Sequence, residues 1–174
     1  MVRIEQITEN NQRFFDLLLL GDEQKSMIDH YLDDGELFVL YDNDLRAVCV
    51  MNQVDDTTCE LKNIAVYEKY QGKGYGTYLI NYVSDHYRNR YDMMILGTGE
   101  VPSILSFYKG FGFDYSHRIK NFFTDNYDHI MIEEGVQLID MIYLKKNLNK
   151  FNKEHRYHYP KIFPLLMSFI KILY

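Results

Sequence analysis

The sequence changes character at Gln71-Gly72-Lys73-Gly74-Tyr75-Gly76, because a run with glycine at every second position does not fit a β-strand. Residues 58–66, before the run, have the pattern of a strand. After it, every fourth residue from Tyr75 to Tyr87 is apolar or aromatic, which predicts a helix. The unpaired N–H groups at the start of such a helix form an anion site suited to pyrophosphate, with a simple turn as the alternative.

The glycine run does not fit two common nucleotide-binding motifs. A P-loop requires glycine, four residues, Gly-Lys and then serine or threonine, and this order is absent. The dinucleotide fingerprint requires glycine where Thr77 stands. Both nucleotide interpretations are therefore disfavoured.

The composition describes one globular domain with an acidic balance. The chain has 174 residues, 19 Lys and Arg against 25 Asp and Glu, a net charge of −6, and 47% hydrophobic residues. This composition excludes disorder of the whole chain and disfavours nucleic-acid binding. Cys49 and Cys59 are not opposed in the expected hairpin, and residues 1–5 are too charged for a signal peptide. We therefore expect a cytoplasmic protein with reduced thiols.

Hydrophobic periodicity predicts a mixed α/β fold with its first strands in antiparallel succession. The expected strands are residues 2–7, 36–41, 45–54, 58–66, 93–96, 113–119 and 136–144. The expected helices are residues 10–21, 22–32, 75–87 and 102–110. The polar and aromatic segment 121–135 is too long for a hairpin turn, so we interpret it as a functional loop.

The glycine run also matches the Gln/Arg-x-x-Gly-x-Gly/Ala signature of the GNAT superfamily of N-acetyltransferases. Asn63-Ile64-Ala65-Val66 resembles the fourth strand of that family, and Phe107-Tyr108-Lys109-Gly110-Phe111-Gly112-Phe113 resembles its second motif. Segments 95–99, 127–129 and 135–138 resemble a branch of small bacterial members that suggests no substrate. The resemblance implies a GNAT domain over residues 1–146, with a mainly antiparallel central sheet that is flanked by helices and splayed between its fourth and fifth strands.

The resemblance further implies that acetyl-CoA lies between the splayed strands, with no metal involved. Its pantetheine would pair with the backbone of Ile64, Ala65 and Val66. Its pyrophosphate would rest on Gln71, Gly72, Lys73, Gly74, Tyr75, Gly76 and Thr77. Lys73 would add positive charge, with a solvated loop lysine as the alternative. Val101 and Ile104 depart from the usual Asn and Ala of the second motif.

The implied reaction is attack of an amine on the thioester, with a backbone N–H near Val66 stabilising the oxyanion. Tyr108 is the expected acid for the leaving thiolate, with a core tyrosine as the alternative. An alkyl amine with a pKa of about 10.4 also needs a base at neutral pH. Strand alternation would set Glu60 on one face with Lys62, Ile64 and Val66, and some family members carry their base at the position of Glu60.

Several alternatives stay open at this stage. A salt bridge is the alternative role for Glu60, and Glu68 and Glu100 are lesser candidates for the base. The acidic side chains of the long loop either attract a cationic amine or form a solvated surface, and they are Asp125, Asp128, Glu133 and Glu134, with His129 among them. His155 and His158 lack the further ligands of a zinc site.

The C-terminal residues 147–174 form a basic and then apolar extension, expected to be helical and to pack on the domain or on a second subunit of a homodimer. Contact with a membrane surface is the second interpretation, because the apolar part is shorter than the roughly 20 residues of a membrane span. A non-catalytic acyl-CoA-binding module is the other alternative to an enzyme. The sequence leaves the acceptor open among small polyamines, antibiotics, amino acids and protein amines.

Overall fold

The structure, a computed structural model, describes residues 1–149 of the chain. Nine strands are found in this range: β1 Val2–Ile7, β2 Glu36–Asp42, β3 Asp44–Gln53, β4 Thr58–Val66, β5 Met93–Gly99, β6 Asp114–Ile119, β7 Ile132–Glu133, β8 Val136–Gln137 and β9 Met141–Asn147. Five α-helices accompany them: α1 Phe15–Gly21, α2 Lys25–Leu32, α3 Tyr75–Tyr87, α4 Pro102–Gly110 and α5 Phe122–Asn126. A 3-10 turn, Asn11–Phe14, leads into α1.

Seven strands form one sheet in the order β1-β2-β3-β4-β5-β9-β6, and β7 and β8 form a separate hairpin. Every neighbouring pair is antiparallel except β4 and β5, which are parallel and joined through α3. A parallel pair needs such a crossover connection, whereas short turns join β2 to β3 and β3 to β4. The predicted mixed and mainly antiparallel sheet is confirmed.

The sheet opens between β4 and β5. The two strands pair only along Thr58 to Glu60 of β4, although β4 continues to Val66 and β5 to Gly99. Beyond Glu60, β4 stays paired with β3 alone. The predicted splay is therefore confirmed, and one edge of β4 faces the opening.

Helices cover both faces of the sheet. α3 and α4 pack on one face, where Leu79, Val83 and Tyr108 join the larger apolar core. α1 and α2 pack on the other face, where Leu17 and Ile28 belong to a second core. Burial of these apolar stripes is the main term that holds the helices on the sheet.

A β-bulge at Lys62 changes the alternation of β4. Val50 of β3 opposes Asn63 and the next residue opposes Leu61, so Lys62 is an extra residue on β4. Leu61 before the bulge and Ile64 after it both lie in the core of the α3–α4 face. Glu60 therefore lies on the α1–α2 face. The expectation from strict alternation, that Glu60 shares a face with Ile64, was wrong because the bulge reverses the parity.

The segment after β6 is more ordered than the sequence indicated. The loop expected over residues 121–135 contains α5 and β7, and the single strand expected over 136–144 is divided into β8 and β9. Glu134 and Gly135 both have positive φ, of 49° and 78°, and form the tight turn of the β7–β8 hairpin. The prediction of one continuous strand was wrong because residues 138–140, between β8 and β9, interrupt it.

The described chain ends just after β9. The Leu148 N–H donates to the Asp92 carbonyl at 2.8 Å, and the Leu148 side chain is buried. The prediction for the C-terminal extension concerns mostly residues 150–174, which lie outside the described residues. Among the helices within residues 1–149, none has both the length and the apolar character that a membrane crossing requires.

Candidate active site

The glycine loop presents its backbone to open space. Gly72 and Gly74 have φ values of 69° and 85°, a region that side chains with a Cβ rarely adopt. A Cβ atom at either position would meet no atom within 4 Å. The first helical hydrogen bond runs from the Tyr78 N–H to the Gly74 carbonyl at 2.9 Å. The N–H groups of residues 75–77 therefore have no acceptor within α3 and are available to an anion.

Three cationic side chains lie around the Tyr70 ring, which directly precedes this loop. The Arg46 guanidinium lies 3.7 Å from the ring centre of Tyr70, and the Lys69 and Lys73 ammonium groups lie 4.9 and 5.3 Å from it. Arg46 Nε and Nη1 are buried and have no hydrogen-bond partner within residues 1–149. The Gln71 side chain donates to the Val66 carbonyl at 3.1 Å and ties the loop to the end of β4.

The α3–α4 face carries two buried hydroxyl groups without a partner. Tyr108 and Thr98 are fully buried, and neither hydroxyl has a hydrogen-bond partner in the described part of the chain. Burial raises the pKa of Tyr108 well above its usual value. A buried hydroxyl without a partner carries a desolvation cost, which a bound ligand can offset. Tyr108 is therefore a protonated donor at neutral pH.

Glu60 lies on the opposite face of the opening and has two partners. Its Oε2 forms an ion pair with Lys62 Nζ at 2.6 Å, and its Oε1 accepts from the Tyr143 hydroxyl at 3.1 Å. Burial is the main cause that lowers the pKa of Lys62. The Tyr143 ring stacks on His117 with 4.6 Å between ring centres. The salt bridge considered as the alternative role of Glu60 is thus present.

The two lesser candidates for the base lie at the surface. Glu68 is exposed in a 3-10 turn after β4. Glu100 is paired with Arg118, which also binds Asp140 at 2.9 Å. Of the three carboxylates considered, Glu60 is the one that lies within the sheet beside the opening.

Two short segments meet across the opening on the α1–α2 face. The linker between α1 and α2, residues 22–24, contacts residues 126–129, which we call the strap. Gln24 Nε2 donates to the Asn126 carbonyl at 3.4 Å, and His129 Nε2 lies 3.2 Å from Glu23 Oε2. The chain after the strap runs back to β5, where the Leu138 side chain packs against Gly99. The contact therefore joins the two sides of the opening.

A buried polar cluster lies beneath the strap. Asp22 has no exposed surface, and its Oδ1 accepts from the Tyr127 hydroxyl at 3.2 Å and the Gln24 N–H at 3.3 Å. The Asn63 side chain donates to the Tyr31 hydroxyl at 2.8 Å and to the Leu18 carbonyl at 3.0 Å. Asp22 Oδ2 and Asn63 Oδ1 are buried and have no donor within residues 1–149.

Burial is the main cause that raises the pKa of Asp22 from 3.8 to about 6. The folded state therefore favours the protonated carboxyl, so this group destabilises the protein increasingly between pH 3.8 and 6 and constantly above that range. The shift corresponds to about 3 kcal/mol. Asp22→Asn removes the titration, so the variant should gain stability relative to wild type as the pH rises from 4.5 to 7.5. Urea unfolding of both proteins at these pH values measures the gain, and a relative loss at pH 7.5 would show that the carboxylate is well solvated or paired.

Comparison with known proteins identifies the family. Residues 33–115 match the family model described as an acetyltransferase (GNAT) domain. The chain is 36% identical over 151 residues to the uncharacterised N-acetyltransferase YvbK of Bacillus subtilis strain 168, a match that covers 84% of this chain and 97% of the relative. The chain belongs to the GNAT superfamily. As a GNAT protein it is an acetyltransferase, which confirms the resemblance seen in the sequence.

Solved structures identify the acetyl donor. A GNAT acetyltransferase from Elizabethkingia anophelis with acetyl-CoA bound superposes with a TM-score of 0.79 at 38% identity, over 84% of this chain and 97% of that one. A Bacillus subtilis acetyltransferase in complex with CoA gives a TM-score of 0.77 at 34% identity, over 84% and 99% of the two chains. Acetyl-CoA is accordingly the donor of this GNAT enzyme. Among the described residues, no group of His, Cys, Asp and Glu is arranged to hold a metal ion; His155 and His158 lie outside them.

The residues of this GNAT chain fit acetyl-CoA. The free edge of β4 at Ile64–Val66 offers backbone groups to a pantetheine chain, and the open glycine loop offers N–H groups to a pyrophosphate. The partnerless hydroxyls of Thr98 and Tyr108 lie on the face that carries α3 and α4. Sequence reasoning gave no role to Thr98, although it lies in the segment 95–99 noted above. It did not identify Arg46 or Asp22, since no local motif marks them and only the folded sheet places them near the opening.

Proposed function

We propose that this GNAT enzyme transfers the acetyl group of acetyl-CoA to a primary amine of a small molecule or a protein. The observation that carries the proposal is the opening between β4 and β5, which has a proton donor on one face and carboxylates on the other. The name N-acetyltransferase of the Bacillus subtilis relative supports an amine acceptor. The two buried free thiols support a cytoplasmic location, which is part of the proposal.

The cofactor site in this proposal consists of backbone donors with added positive charge. Ile64, Ala65 and Val66 bind the pantetheine through their main chain. Residues 71–77 bind the pyrophosphate through the N–H groups at the start of α3, and Lys73 with Arg46 adds positive charge. The side chain of Gln71 keeps the loop in place through Val66. Bound acetyl-CoA supplies the acyl thioester that the amine attacks.

Two side chains act as the base and the acid of the acetyl transfer. Glu60 accepts a proton from the amine, directly or through water, as the new N–C bond forms. Tyr108 donates its hydroxyl proton to the sulfur as the C–S bond breaks, and it recovers a proton from solvent. A backbone N–H of β4 near Val66 stabilises the charge that develops on the carbonyl oxygen. The products are the N-acetyl amine and free CoA thiol, and Glu60 passes its proton to solvent, so atoms and charges balance.

A screen of CoA release tests the proposal. Purified protein with acetyl-CoA is offered polyamines, aminoglycosides, free amino acids and peptides with free amines, and thiol release is followed over time. We expect at least one class to raise release well above the rate without acceptor. Release that no acceptor class accelerates, with acetyl-CoA bound, would instead identify a non-catalytic acyl-CoA-binding module.

Glu60→Gln should lower activity at neutral pH by roughly tenfold or more, and the activity of the variant should recover as the pH rises. The variant keeps the shape of the side chain but cannot accept a proton, while each pH unit below the amine pKa supplies about ten times more neutral amine. The measurement is kcat/KM against pH for the variant and wild type.

Lys62→Gln is the matched control for Glu60→Gln, because it breaks the same ion pair and keeps the carboxylate. We expect this control to retain the wild-type pH profile. If Glu60→Gln instead lowers thermal stability and keeps the wild-type profile, the ion pair is structural and the base must be sought elsewhere.

A further inference from the structure

We propose that Asp22 is the carboxylate that binds the acceptor, and that the acceptor is therefore an alkyl amine that is cationic at neutral pH. This inference rests on the proposed function and narrows its substrate class. Asp22 Oδ2 would accept a hydrogen bond from the ammonium group, which loses one proton through Glu60 to solvent before the neutral amine attacks. Asp22 would thus determine specificity, whereas Glu60 and Tyr108 move the protons.

The buried polar cluster contains hydrogen-bond acceptors that have no donor. Asp22 Oδ2 and Asn63 Oδ1 are both acceptors, both are buried, and neither has a donor within residues 1–149. Most buried polar atoms in proteins have a partner, so two unsatisfied acceptors in one cluster indicate an absent donor. A primary ammonium group carries three N–H donors and can satisfy more than one acceptor.

The charge around Asp22 favours a cation. Asp22 forms no ion pair with any described residue. The groups that face it are the Tyr31 hydroxyl from α2, the Tyr127 hydroxyl from the strap and the neighbouring Glu23 carboxylate. A buried carboxylate without a cation is costly, and a bound ammonium group would offset that cost. A neutral or anionic acceptor would leave the carboxylate unpaired.

The cluster is placed where an acceptor must approach. Asn63 belongs to the part of β4 that no longer pairs with β5, and it directly precedes Ile64, whose backbone borders the opening. The Gly21 backbone lies against Asn63 Oδ1, and a Cβ at position 21 would fall 2.4 Å from that oxygen. This close approach brings Asp22 to the opening, on the face opposite α3 and α4 and shared with Glu60.

The strap covers Asp22, so the acceptor reaches Asp22 Oδ2 when the strap moves aside. Tyr127 itself is buried in the larger apolar core, but the other contacts of the strap, with Glu23 and Gln24, are polar and lie at the surface. Such contacts are weak in water, and they open more readily than apolar packing does. An ammonium group on Asp22 Oδ2 supplies a charged donor, which forms a stronger hydrogen bond than the neutral Tyr127 hydroxyl forms with Oδ1.

Steady-state kinetics of Asp22→Asn test the inference with the amine that the release screen identifies. We expect KM for the amine to rise about 10- to 100-fold, in line with the loss of a hydrogen bond to a charged group. We expect kcat to stay within about threefold and the calorimetric affinity for acetyl-CoA to stay unchanged, because neither the acid nor the glycine loop is touched.

Tyr127→Phe is the matched control, because it removes the same hydrogen bond from the side of the strap and leaves the carboxylate. If Asp22 binds the ammonium group, the control should keep a KM close to that of wild type. If Asp22 only holds the strap, both variants should raise KM equally, and that result would overturn the inference. An unchanged KM in a folded Asp22→Asn variant would overturn it as well.

A measurement on the wild-type enzyme does not depend on the variant folding. The alcohol with the same carbon skeleton as the accepted amine is tested as a competitive inhibitor. We expect it to bind at least about tenfold more weakly than the amine, since a hydroxyl cannot pair with the carboxylate as a cation does. Equal binding would overturn the inference while amine turnover, and hence the proposed function, still holds.

Discussion

Gly74→Glu is expected to weaken acetyl-CoA binding at least about 100-fold. The new side chain would extend from the N-terminus of α3 into the open space where the pyrophosphate is proposed to lie. Two like charges about 4 Å apart repel by about 4 kcal/mol near a protein surface, where 1.4 kcal/mol corresponds to a tenfold change. The φ of 85° adds backbone strain that any residue with a Cβ would experience. Isothermal calorimetry with acetyl-CoA measures the effect and needs no acceptor.

Gly135→Glu is the matched control for this substitution. Gly135 also has positive φ, of 78°, and open space around its Cβ position, but it lies in the β7–β8 turn. We expect the control to bind acetyl-CoA with wild-type affinity. Gly74→Ala isolates the strain and should cost less than Gly74→Glu. If both glutamate variants bind acetyl-CoA normally, the glycine loop is not the pyrophosphate site.

Tyr108→Phe is expected to lower kcat roughly 100-fold, within the usual range for loss of a general acid. The hydroxyl is buried without a partner, so its removal breaks no hydrogen bond of the described chain. The variant should therefore be as stable as wild type or more stable, and its affinity for acetyl-CoA should change little. Rapid-quench kinetics and thermal unfolding together measure these quantities.

Tyr87→Phe provides the contrast for Tyr108→Phe on the same face of the sheet. The Tyr87 hydroxyl is also in a buried side chain, but it donates to Glu36 at 2.9 Å. Its removal should lower stability by about 1 kcal/mol and leave kcat unchanged. An unchanged kcat for Tyr108→Phe, when chemistry limits the rate, would assign Tyr108 to packing alone.

The sequence predicted the fold well because local patterns encode it. The glycine run, the helical spacing from Tyr75 to Tyr87 and the alternation of the strands are all short-range signals. The division of residues 136–144 into two strands was missed because the region is rich in β-forming residues on both sides of the break. The break lies at residues 138–140, where the Leu138 N–H donates to the Met131 carbonyl at 2.9 Å, a contact between distant residues that no local pattern marks.

The sequence predicted less of the proposed acceptor side than of the proposed donor site. The proposed donor site uses backbone groups of a contiguous loop, which a motif can mark. The acceptor side depends on the bulge at Lys62, which reverses the face of Glu60, and on the meeting of residues 22–24 with residues 126–129. Asp22 and Tyr127 are 105 positions apart in the chain, so no local pattern could bring them together.

The most direct test of the proposed acetyl transfer is mass spectrometry of the amine after incubation with acetyl-CoA and the enzyme. We expect the amine to gain one acetyl group, in amounts equal to the CoA thiol released. The product should appear with Gly135→Glu and be strongly reduced with Gly74→Glu and Tyr108→Phe. If acetyl-CoA binds with measurable affinity and no primary amine gains an acetyl group, the chain is not an N-acetyltransferase.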